Sequence, residues 1–103
     1  MKIIWTHLAK TTYFDAIDDL NKHWTKTEIT NFITRTNTHL DTIKNGVVAH
    51  KSIYKKIRKC IIHKNISLYY TENKADNEII LIVFYNNKMN PKTLLKLLNR
   101  NIF

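Results

Sequence analysis

The stretch YKKIRKCIIHK, residues 54–64, concentrates groups that bind phosphate. It holds four lysines, one arginine and one histidine, and no acidic residue occurs between Asp41 and Glu72. Lysine brings a compact ammonium and arginine a flat fork of N–H donors, and both neutralise phosphate oxygens. The whole chain of 103 residues carries a formal charge of +9, with a pI near 9.8. A small domain of that charge repels itself. A polyanionic partner such as RNA, DNA or an acidic protein relieves the repulsion.

Other chemistries find less support. The five histidines, at 7, 23, 39, 50 and 63, show neither an HExxH pattern nor another ligand spacing, so no metal and no cofactor are expected. Cys60 is the single cysteine, which excludes an internal disulfide and suits a reducing compartment. It reads as a small buried or half-buried thiol, because nothing resembles a Cys-His-Asn arrangement. No run of about 18 apolar residues occurs, so no membrane span is expected, and the opening MKIIWTHLAK is too short in apolar residues for a secretory signal. The expected location is the cytoplasm.

The elements that must position the cations can be read from periodicity. Residues 2–6, KIIWT, read as a short strand. Tyr13, Ile17, Leu20 and Trp24, joined by Phe14, mark a helix face from about 9 to 24. Thr25 and Glu28 fit a capping box, and Ile29, Phe32, Ile33, Leu40 and Ile43 continue a stripe to about 44, where Asn45-Gly46 offers a left-handed stop. The second half changes to period two. Strands are expected at 53–62, 66–71 and 78–85, the last apolar on both faces and therefore central, followed by a short helix after Pro91. The expectation is one α+β domain over residues 1–103: a strand, an antiparallel helix hairpin, a three-stranded antiparallel meander and a short C-terminal helix, with the hairpin on one sheet face. On the 53–62 strand, Ile53, Ile57 and Ile61 should face the helices. Tyr54, Lys56, Arg58, Cys60 and Ile62 should face away and form a cationic groove, with Lys55 and Lys59 snorkelling at the strand's ends.

The order of three segments resembles the RelE/ParE superfamily of toxins from bacterial type II toxin–antitoxin systems. These are IIWTHLAKTTYFDAIDDL, IRKCIIHKNISLYYT and IVFYNNKMNPKTL. The resemblance implies a toxin held inactive by an acidic antitoxin, whose amphipathic segment would neutralise the cations at 51–64. Such toxins either cleave mRNA on the ribosome or poison DNA gyrase, and the resemblance leaves both open. For cleavage it places Arg58 and Lys88 on the scissile phosphate, Lys88 standing where the family usually has arginine, and Tyr85 or His63 in proton transfer. Lys51, Lys55, Lys56, Lys59 and Lys64 would hold rRNA and mRNA phosphates.

Overall fold

Two threonine caps set the helical half. The computed structural model describes residues 1–46 and 50–100, Tyr54 by its backbone alone. After β1 (Lys2–Trp5), Thr6 Oγ1 accepts from the Ala9 amide at 3.0 Å and opens α1 (His7–His23). The same hydroxyl donates to the Leu81 carbonyl at 2.7 Å, so this cap also ties the helix start to the sheet. Thr25 Oγ1 accepts from the Glu28 amide at 3.3 Å and opens α2 (Lys26–Lys44). That is the hydroxyl half of the expected capping box. Gly46, at φ +70°, takes the left-handed conformation at the end of α2.

Five strands form one sheet in the order β1-β5-β4-β3-β2. They are β2 (Ser52–Tyr54), β3 (Ile57–His63), β4 (Ile66–Asn73) and β5 (Glu78–Asn86), with β1 at the far edge. β2 to β5 form an antiparallel meander, while β1 runs parallel to β5, Lys2 opposite Glu78 and Trp5 opposite Leu81. α3 (Pro91–Arg100) follows, with proline at its first position and the Asn90 side chain accepting from the Lys92 amide at 2.8 Å.

Alternation along the strands feeds two cores. Leu68 opposes Phe84 and Tyr69 opposes Val83, yet each pair goes to a different side. Leu68, Phe84, Cys60 and Ile62 join Leu20 of α1 and Phe32, Leu40 and Ile43 of α2. Tyr69, Val83, Ile57, Ile82 and Tyr85 join Leu94 and Leu98 of α3. The α1–α2 hairpin therefore lies on one sheet face, as expected, and β5 is covered on both sides.

The segment read as one strand over 53–62 is two strands with a turn at Lys55-Lys56. Lys55 occupies the left-handed region at φ +52°, a conformation that costs an L residue roughly 1 kcal/mol. The Ser52 hydroxyl donates to the Lys55 carbonyl at 2.8 Å and holds the turn closed. The turn reverses the chain, so the parity drawn across it fails. Ile53 and Ile61 are 46% and 61% exposed, and Ile57 joins the α3 core instead of the hairpin core. Cys60 and Ile62 are the residues under the hairpin. Arg58 shares their parity and departs from the expected open face. The expectation for the Tyr54 side chain lies outside the described residues.

Candidate functional site

Antiparallel pairing across the β3–β4 hairpin sets Arg58 opposite Tyr70. Glu72, two residues on, then lies on the same side as Arg58, and the guanidinium is held from two directions. Its Nη1 donates to the His50 carbonyl at 2.6 Å, and its Nε lies 3.9 Å from Glu72 Oε1. Both side chains keep solvent contact, 31% for Arg58 and 27% for Glu72. Arg58 is neither sealed in the core nor loose on the surface.

Around this pair lies a cleft of about 790 Å³, bordered by Ser52, Lys55, Lys56, Arg58, Glu72 and Lys74 among others. Lys55 and Lys56 come from the β2–β3 turn, and Lys74 from the turn after β4. The Thr71 hydroxyl donates to the Lys56 carbonyl at 3.0 Å and fixes that turn against β4. The cleft is a cationic hollow with one carboxylate inside it. Glu72 and Lys74 escaped the sequence reading. Their signal is the β3–β4 pairing, which brings 72–74 beside 56–58 only once the register is known.

The remaining cations occupy other places. Lys51 is exposed just before β2, and its carbonyl accepts from the Lys59 amide at 3.4 Å. Lys59 is half-buried and alternates to the side away from Arg58. Lys64 and Lys88 sit at the opposite end of the sheet. The loop after β5 is tied to the β3–β4 turn there, the Asn87 amide donating to the Asn65 carbonyl at 2.7 Å. His63 and Tyr85 belong to that end as well. Strand rise puts His63 roughly 16 Å from Arg58 along β3. The four residues expected to act together thus divide: His63, Tyr85 and Lys88 at one end, Arg58 at the other.

Their environments differ too. Tyr85 is buried and its hydroxyl donates to the Asn90 carbonyl at 2.7 Å, so it anchors the turn into α3. The His63 ring packs on Trp24 with centroids 4.2 Å apart, and its Nδ1 accepts from the Asn65 amide at 3.4 Å. Burial lowers the His63 pKa from the usual 6.5, Arg35 and Lys64 lower it further, and Glu28 opposes them. The folded state therefore favours the neutral ring. The resulting stability is present above about pH 6.5 and is lost as pH falls through the depressed folded value. A proton NMR titration is expected to place the His63 midpoint below that of a free histidine. A midpoint above it contradicts burial as the leading cause. Cys60 is fully buried, and burial pushes its thiol up to about 11, so the sulfur stays protonated unless a cation stands beside it.

A second hollow of about 470 Å³ lies between α1 and α3 and is lined by Ala16, Leu20, Trp24, Met89 and Leu97 among others. Asp15, Asp19, His23 and Tyr85 border it as well, so its apolar wall faces a polar rim that includes one of the expected site residues.

The fold is similar to that of a copper-bound mutant toxin from Helicobacter pylori. The TM-score is 0.60 and the identity 18%, over 84% of this chain and 93% of that chain. No protein-family model and no curated protein matches the sequence. The likeness establishes a shared fold with a solved toxin.

Proposed function

We propose that this chain is the toxin of a type II toxin–antitoxin pair of RelE/ParE type, which arrests growth by cutting mRNA on the ribosome. The observation that carries the reading is the Arg58–Glu72 cleft, set among Lys55, Lys56 and Lys74. A fold shared with a known toxin supports the same class.

Metal-independent RNA cleavage needs three things: a base for the 2′-hydroxyl proton, a cation on the crowded phosphate and a proton for the leaving oxygen. Arg58 supplies the fork that holds two phosphate oxygens. Glu72 is the carboxylate within reach of the same phosphate and takes the 2′-hydroxyl proton. The 2′-oxygen then bonds phosphorus, the bond to the 5′-oxygen breaks, and a cleft lysine returns a proton to that oxygen. The products are a 2′,3′-cyclic phosphate and a 5′-hydroxyl end. Lys51, just before β2, and Lys59, on the other side of β3, would hold phosphates outside the cleft. At the far end Lys64 and Lys88 hold further phosphates beside His63. Tyr85, fastened to Asn90, supports that end. The antitoxin would bring carboxylates that displace phosphate from the cleft.

The test is to induce the chain without an antitoxin and map transcript 5′ ends. New ends within translated messages are expected, and Glu72→Gln should lose them while keeping RNA binding. Intact transcripts accompanied by double-strand DNA breaks replace this reading with gyrase inhibition.

A further inference from the structure

Three potential metal ligands converge from distant points of the chain. His39 lies on α2, Cys60 on β3, and His50 in the segment before β2. One ligand atom from each falls within 4.8 Å of the others, the one such grouping of three among the described residues. We propose that His39, His50 and Cys60 bind a single zinc(II) ion.

The ligand types fit that ion. Imidazole and thiolate are the preferred donors of zinc, and three protein ligands leave a fourth position for water. Ligand atoms around tetrahedral zinc stand roughly 3.5 Å apart, so a cluster whose atoms lie within 4.8 Å of one another needs to tighten by at most about 1.3 Å. Small side-chain rotations of the two half-buried histidines cover that distance. Cys60 forms the buried floor, and the histidines form a rim open to solvent.

The surroundings also fit. The Tyr70 hydroxyl lies 2.7 Å from His50 Nδ1, so Nε2 is the nitrogen that takes the ion. A hydrogen bond at the second ring nitrogen is what orients metal-bound imidazoles. The bland alternative is a small buried thiol beside two ordinary histidines. It accounts for Cys60 but not for the convergence of two imidazoles and the thiol within 4.8 Å.

The site has a structural consequence. The His50 carbonyl accepts the short bond from Arg58 Nη1. An ion that fixes His50 between α2 and β3 also fixes the acceptor that aims Arg58. The proposal stands apart from the phosphate reading, because its readout involves no RNA.

The experiment is titration of the purified chain with cobalt(II), a spectroscopic stand-in for zinc. One equivalent is expected to bind, with a thiolate-to-cobalt charge-transfer band and the visible bands of a tetrahedral ion, and excess zinc should displace it. Cys60→Ser should lose the charge-transfer band. His39→Gln, altered at a half-buried helix position that leaves the core in place, should weaken binding at least ~10-fold. His23→Gln, exposed at the end of α1, should change nothing. Absence of a thiolate band, or affinity that persists in His39→Gln, overturns the proposal.

Discussion

Arg58→Ala is expected to abolish the proposed growth arrest and to weaken the proposed RNA binding by about 10- to 100-fold at physiological salt. The side chain is the one forked cation of the cleft and is already oriented by His50 and Glu72. Removing it takes away a bidentate phosphate contact and leaves Glu72 to repel the approaching backbone. The logarithmic salt dependence of binding should become shallower by about one phosphate contact. Arg58→Lys should restore the salt dependence but only part of the affinity, because an ammonium cannot span two oxygens. The fold should survive. The ion pair is partly exposed and at 3.9 Å contributes about 0–1 kcal/mol, and the bond to the His50 carbonyl roughly 1–2 kcal/mol. Fluorescence anisotropy across a salt series, with circular dichroism as the folding control, separates the two effects. Undiminished growth arrest by a folded Arg58→Ala chain would remove the cleft from the function.

The largest loss of stability is expected from Phe32→Ala. Phe32 is fully buried between α2 and the sheet, and its ring stacks on Tyr13 with centroids 5.8 Å apart. Tyr13 in turn touches Phe84 and Trp5, at 5.0 and 5.3 Å, so one ring supports an aromatic group spanning both helices and β5. Truncation removes the transfer free energy of the ring and leaves a cavity that this rigid group cannot fill, a cost of about 3–5 kcal/mol. A domain of this size has only about 5–15 kcal/mol in total. The melting temperature should fall by at least ~12 °C. A drop of under about 4 °C in a thermal scan would mean that the hairpin can move inward to close the gap.

The sequence spoke clearly where a residue type has one local use. Thr25 as a cap, Gly46 as a left-handed stop and Pro91 as a helix opener need no tertiary knowledge, whereas Thr6, read as the end of the first strand, proved to be the cap of α1. The apolar run of β5 likewise announced a strand covered twice. Lys55 is the opposite case. Nothing in a lysine signals a left-handed turn, and the Ser52 hydroxyl that closes it is an ordinary surface serine by type. That hidden turn misplaced Ile53, Ile57 and Ile61 and merged two strands into one. The candidate site was legible as a cationic segment and no further. Arg58 could be named, but Glu72 and Lys74 depend on the β3–β4 register, and the splitting of His63 and Lys88 from Arg58 depends on strand length. The His39–His50–Cys60 cluster joins three elements at irregular spacing, so no pattern search along the chain could assemble it.

The parallel pairing of β1 with β5 bears on how the molecule is born. The strand synthesised first has as its neighbour the last strand of the sheet, with the helix hairpin and the rest of the meander in between. Such a long-range closure is entropically slow and cannot occur until translation has passed residue 86. Ile80 of β5 borders the cleft, so whatever activity the cleft has must wait for that strand to be made and paired.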